Sequence, residues 1–265
     1  LMRRTALAAG ETFTDPTDRI TIKTLNDGAT TASVEVCVGP CGAPVIAQTS
    51  AHAITARNVA TAAKRSSRNT SIDLTVPAGH AVPAGHTVIV TTDTGNAAGA
   101  VSCTDSRGDV YRVDVNSVGA RRLIICSAHA NAALEPGATI TVRYPSFAGA
   151  AVSIANQFSG LDPSATPDRT AVAHHDRAAV NSGPTAPTRR RAELVFGAVS
   201  YDGTSTFRAG PGDVPIGEVT FGSGTARSRI DPVFKIVSAT GVFNVAGTLS
   251  APQPWRAAVV AFFAA

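Results

Sequence analysis

His80 and His86 occupy matching positions of a doubled segment, PAGHAVPAGH (77–86), and paired imidazoles are what a transition metal would take. The surrounding residues argue for turns instead. Each Pro-Ala-Gly is a turn former whose glycine, Gly79 or Gly85, supplies positive φ. Histidines six residues apart across a proline-containing connection have no fixed mutual geometry. The other imidazole cluster is His174-His175-Asp176, where successive strand residues point to opposite faces, so the two rings are poorly placed to share one ion. None of the six histidines precedes a glutamate, which removes the His-Glu-x-x-His helix of zinc peptidases. No metal ligand is assigned on this reading.

CTDSRGDVY (103–111) has the look of a calcium loop through Asp105, Ser106 and Asp109, but Asp-Ser-x-Gly between two alternating runs is ordinary hairpin chemistry with Gly108 as the left-handed residue. A structural Ca²⁺ would have to draw on loop carboxylates such as Asp162, Asp168, Asp202, Asp213 and Asp231, and no spacing singles out a set. Catalytic signatures are missing too: there is no Gly-x-Ser-x-Gly elbow, no phosphate loop and no dinucleotide fingerprint. Glu11, Glu35 and Glu193 fall at strand starts or on polar strand faces, and Glu135 precedes Pro-Gly in a turn. None is placed for acid–base work. We therefore assign no catalytic residue and no cofactor. Tyr201 and Asp202, at the turn DGTST, are the candidates for facing a ligand. Trp255 joins them as a third, although it opens a very apolar strand and reads first as core. Asn69-Thr70-Ser71 fits the glycosylation sequon.

The four cysteines fall into two local pairs, Cys37 with Cys41 and Cys103 with Cys126, the second pair separated by a hairpin's worth of chain. Even number and local pairing predict two disulfides in an oxidising compartment. A zinc site is the rival, but 103/126 is not the closely spaced pair such sites use. Charge is modest, 23 basic against 19 acidic residues over 265, and it is spread along the chain. That excludes the concentrated basic face a nucleic-acid partner requires. The densest run, Arg189-Arg190-Arg191, reads as a solvated loop. The longest apolar run, 257–265, is about right for a buried strand and less than half a membrane span. LMRRTALAAG lacks the apolar stretch of an export signal and reads as a cut through a longer protein.

The elements that must position these residues are strands. Period-two alternation runs through the chain, broken every 8–12 residues by Gly, Pro, Asn or Asp. Residues 1–47 read as a small β unit, with alternating runs at 19–24 and 32–38. Residues 48–69 read as a linker or edge segment. Residues 70–265 read as a two-sheet, jelly-roll-like β-sandwich of about a dozen strands, interrupted by a loop-rich, proline-studded stretch at 161–190. Runs apolar on both faces, 123–126 and 259–263, belong in its middle.

AGETFTDPTDRITIKTLNDGATTASVEV, within residues 9–38, resembles the small β segment that closes secreted gametolysin-like zinc metallopeptidases, through Gly10-Glu11-Thr12-Phe13, Asp15-Pro16 and two alternating strands. The resemblance implies that Phe13 is structural and that the peptidase's catalytic residues lie upstream. Residues of roughly 58–265 are similar to a β-sandwich module of secreted and surface proteins of actinobacteria, through LTVPAG (74–79), CTDSRGDVY, LEPGATITVRYP (134–145), FSGL (158–161) and AELVFGAV (192–199). His86 departs from the acidic residue expected after PAG there. Taken together, the expectation is a non-catalytic accessory region of an exported protein, extracellular or at the cell surface, that positions or anchors an upstream peptidase domain. The alternative is an independent carbohydrate-binding or adhesive module meeting an extracellular polysaccharide or protein surface.

Overall fold

The computed structural model describes residues 54–164 and 166–265 in full and, before them, the backbones of four strands. Those four are β1 (Thr12–Asp15), β2 (Ile20–Asp27), β3 (Ala32–Val38) and β4 (Val45–Gln48), joined in antiparallel order. The ladder continues from β4 into β5 (Thr55–Thr75), so the small β unit hydrogen-bonds onto the sheet that follows.

The first sheet is completed by β6 (Thr87–Thr94), β7 (Ser102–Asp105), β8 (Val110–Val118), β9 (Arg122–His129) and β10 (Thr139–Phe158). Its closure depends on β10. β5 accompanies β10 along one edge through both halves. On the other edge, Ile140–Arg143 pair with β7 and Val152–Phe158 pair with β6. Because β6, β9, β8 and β7 are themselves joined in that order, the sheet returns to its starting strand and closes as a small barrel. The ladder is irregular around Phe147, where β10 bends between its two sets of partners.

The second sheet has the order β11 (Pro167–Asn181), β17 (Ala246–Phe263), β12 (Glu193–Asp202), β16 (Ser228–Val237), β14 (Val214–Pro215), with β13 (Phe207–Ala209) on β17 and β15 (Val219–Phe221) on β16. It packs on the barrel as the second layer of a β-sandwich, the expected fold class.

Three apolar clusters follow from strand alternation. On β9, Ile124 and Cys126 point into the barrel beside Val88, Val90, Leu74 and Ile140. Leu123 and Ile125 point the other way, into the inter-sheet core with Ile89, Ile154, Phe196 and Phe234. Phe158 meets the Phe196 and Phe234 rings edge-on there, at 5.9 and 5.7 Å between centroids. β12 repeats the division. Leu194, Phe196 and Ala198 face the barrel, while Val195, Val199 and Tyr201 belong to a third cluster with Trp255, Val245 and Leu249. These strands look continuously apolar in sequence because each face meets a different core.

Residues 55–69 form most of a 21-residue strand that pairs with β10 along its length, while β4 pairs only with Thr55–Arg57 and leaves the rest of that side an edge among the described strands. Their Ala, Thr, Ser and Arg content gave little alternation to read, since Ala56, Val59 and Ala60 bury small side chains. The proline-studded stretch at 161–190 contains β11, a 15-residue strand rich in alanine and charge, whose order comes from its pairing with β17.

Candidate functional site

The doubled PAGH segment forms two turns. The His80 amide donates to Pro77 O at 3.2 Å and the His86 amide to Pro83 O at 3.4 Å, with Gly79 at φ 78° and Gly85 at φ 84°. His86 packs against Gln157, Nδ1 to Nε2 at 2.5 Å, and Gln157 in turn accepts from Arg57. Burial, then the neighbouring Arg57 and His129, lower the His86 pKa. CTDSRGDVY is likewise a hairpin: Asp105 Oδ1 accepts from the Arg107 and Asp109 amides at 2.8 and 3.2 Å, and Gly108 has φ 94°.

Two disulfides were expected, and the described residues contain one, between Cys103 and Cys126. The second expected bond, joining Cys37 to Cys41, falls elsewhere in the chain. Cys41 lies outside the described residues, and Cys37 is described only as backbone within β3. The strands that carry Cys103 and Cys126 are not neighbours. β8 lies between β7 and β9, and the bond crosses the barrel interior. A crosslink between strands one removed ties β7 to β9, a strand buried at all but its last residue.

The densest polar cluster joins the two sheets around Asp93, a carboxylate on β6, all of whose residues are buried. Its Oδ1 accepts from Arg121 in the β8–β9 turn. Its Oδ2 accepts from the Ser200 hydroxyl on β12 and from Arg256 Nε on β17 at 3.1 Å. Arg256 Nη2 also reaches Ser200 Oγ at 3.3 Å, and Arg121 Nη2 donates to Ala150 O at 3.0 Å. Burial works to lower the Arg121 pKa, but Asp93 and Asp202 outweigh it and hold the guanidinium above its ordinary value. Ser200 is fully buried, and the groups bonded to it are a carboxylate and a guanidinium, with no imidazole to take its proton. The arrangement is an ionic clamp between layers. Asp202 extends it outward, lying 3.6 Å from Arg121 Nε and accepting from Ser228 at 2.7 Å.

Beside Arg256 lies a cavity of about 230 Å³ lined by Trp255, by His174, His175 and Asp176 of β11, and by the 117–120 turn. It collects His174, His175, Asp176 and Trp255 but not Tyr201 or Asp202, and the orientations of the four limit it. His174 pairs across the ladder with Arg256 and His175 with Trp255, so the imidazoles lie on opposite faces, as alternation requires. Trp255 is 1% exposed; its indole N–H donates to Arg177 O at 3.0 Å and its ring meets His175 edge-on at 5.4 Å. It forms part of a wall and presents no open aromatic face. A larger, open groove of about 760 Å³ is lined by the 207–215 loop and by Gly247 and Thr248. Its buried carboxylate, Asp213, is bound by Lys235 at 3.0 Å.

Tyr201, expected as an exposed ring, is instead 1% exposed in the third core. Asn69 of the sequon is equally buried and donates to Gly149 O at 2.7 Å, which leaves no free amide for a glycan. Glu193, read as a polar strand residue, has no exposure and shares a hydrogen bond with Asp168. Burial, helped by the neighbouring Asp168, pushes the Glu193 carboxyl up to about 7. For Asp168, burial acts upward too, but the Arg189 guanidinium and amide prevail and hold it below its ordinary value. The arginine run is thus not simply solvated. Arg189 bonds Asp168, Arg190 bonds Asp162 at 3.0 Å, and Arg190 lies 4.1 Å over the Phe263 ring. The Asp168 and Glu193 carboxylates do converge, but neither lines the cavity or the groove just described.

Of the carboxylates considered for Ca²⁺, Asp162 and Asp168 are held by arginines, Asp202 by Ser228 and Arg121, Asp213 by Lys235, and Asp231 by Tyr201. Among the described residues, no three histidine, cysteine or acidic side chains gather where a metal ion could be held. No helix among them is long and apolar enough to cross a membrane. Fold and site together define a two-sheet β protein with a disulfide-crossed barrel and an ionic clamp between its layers. No family model, curated protein or solved structure matches the chain.

Proposed function

We propose that the chain is a non-catalytic accessory region of an exported protein, holding a neighbouring domain or the protein itself against an extracellular surface. The observation that carries this reading is the occupation of its reactive side chains. Asp93, Ser200, Arg256, Asp168 and Asp213 are all spent on holding strands and layers together, away from solvent. The Cys103–Cys126 bond fits folding in an oxidising compartment. The resemblance of residues 9–38 to gametolysin-like enzymes would make the neighbour a zinc endopeptidase domain.

The second reading, an independent carbohydrate-binding or adhesive module, draws on the cavity beside Trp255 and His175. One experiment separates these readings from each other and from catalysis. The purified chain is presented to insoluble cellulose, chitin and xylan and, in parallel, to casein and chromogenic glycosides. Retention on one polysaccharide, competed by its soluble oligosaccharide, supports the binding module. Absence of both retention and turnover supports the positioning role. Sustained turnover of any substrate contradicts both.

A further inference from the structure

The strand that supplies His174, His175 and Asp176 to the cavity is also an edge. β11 is the terminal strand of the second sheet and pairs along its length with β17 alone. From Arg169 to Arg177 its register is regular, with no bulge and no proline, so about 30 Å of strand presents an outward row of backbone donors and acceptors. Such edges recruit further strands unless shortened, kinked or covered. Thr170, Val172 and the run His174–Arg177 are exposed, and Val172 is one of the few large apolar side chains left 39% exposed.

The geometry points to a second copy of this chain as the strand that completes the edge, through antiparallel β11–β11 pairing about a two-fold axis at His175. An isologous antiparallel extension of a sheet needs an axis perpendicular to it, so facing residues share parity and the axis falls on a single residue or pair line. Centred on Ala173, Arg169 would face Arg177, and centred on Asp176 two carboxylates would meet. Centred on His175, each His174 faces the Asp176 of the other copy, imidazole against carboxylate, twice on one face. On the other face the two His175 rings meet beside the Trp255 indoles that already hold them. The interface would cover the rim of the small cavity, whose β11 wall is these same three residues.

The test is the solution mass of the full chain by light scattering and sedimentation between 5 and 500 μM, with far-UV circular dichroism to verify folding. Wild type is expected to approach twice 27.0 kDa at the upper end. Asp176→Lys, at an exposed position, is expected to weaken association at least tenfold. The exchanged pair His174→Asp with Asp176→Lys restores opposite charges across the axis and is expected to recover it. Concentration-dependent hydrogen-exchange protection confined to residues 170–178 is expected in wild type and provides a readout independent of the variants. A chain that stays monomeric at 500 μM overturns the proposal and leaves the edge to a strand of another sequence. Dimerisation indifferent to Asp176→Lys, or not recovered by the exchange, overturns the β11 register.

Discussion

The barrel and the second sheet are built from the same kind of strand but solve the problem of their edges differently. In the barrel, β10 takes up β6 and β7 on one edge and the sheet closes, with a disulfide crossing the interior. The second sheet stays open, ends at β11, and instead covers its outer face with Phe207, Phe243, Val245 and Leu249. Closure removes polar edges outright. An open sheet must either cover its edge or pair it. Asp93 and its partners bind the closed layer to the open one.

The largest expected effect is at that junction. Asp93→Ala removes a carboxylate serving Arg121, Ser200 and Arg256 and leaves Arg256 buried without its counter-charge, which costs about 3–5 kcal/mol. Urea denaturation followed by circular dichroism measures it; a loss under about 1 kcal/mol would mean the clamp contributes little. Next comes the barrel's crosslink. Replacing Cys103 and Cys126 together by alanine frees a loop of 23 residues and is expected to cost about 3 kcal/mol, read as a lowered melting temperature.

A smaller effect is expected from overpacking the second sheet. A Cβ added at Gly197 would stand 2.1 Å from Val245 Cγ2, so Gly197→Ala should destabilise by about 1–3 kcal/mol. The double change with Val245→Ala should recover part of that loss, which the same urea titration would show.

A separate effect is the response to pH. Burial raises the carboxyls of Glu193 and Asp114 to about 7 and of Asp231 to about 6, from ordinary values of 4.5 for Glu and 3.8 for Asp. Folding therefore favours their protonated forms. Their contribution is complete below the ordinary values and is lost as pH rises through about 6 to 7. Asp168 and Asp162 are shifted downward, so their contribution is lost only on further acidification below 3.8. Melting temperature should accordingly be higher at pH 5 than at pH 8, and Glu193→Gln should flatten the difference. A protein equally stable at both values would contradict the burial of these acids.

Much of the fold was legible because strands announce themselves by alternation and turns by Gly and Pro. The PAGH turns, the DSRG hairpin and the doubly apolar strands 123–126 and 259–263 were all readable from local chemistry. What lay hidden was nonlocal. Runs at 138–144 and 150–158 look separate because Pro145 and Gly149 interrupt them, yet they are one bent strand held by β5. Pro252 and Pro254 disguise β17 in the same way. The ionic clamp did leave a trace: Asp93 interrupts TVIVTTDT, Arg121 ends the turn before RLIIC, and Arg256 precedes AAVVAFF. A charge inside a buried run demands a partner, but only the sheet packing says which.

The clamp and the inter-sheet core make barrel and second sheet one cooperative unit. Trp255, the single tryptophan, lies in the second sheet, whereas far-UV circular dichroism reports the strands of both. Equilibrium unfolding in urea should give superimposable transitions by the two probes in wild type, and separated ones in Asp93→Ala. Fluorescence and dichroism transitions that are already separate in wild type would contradict the claim.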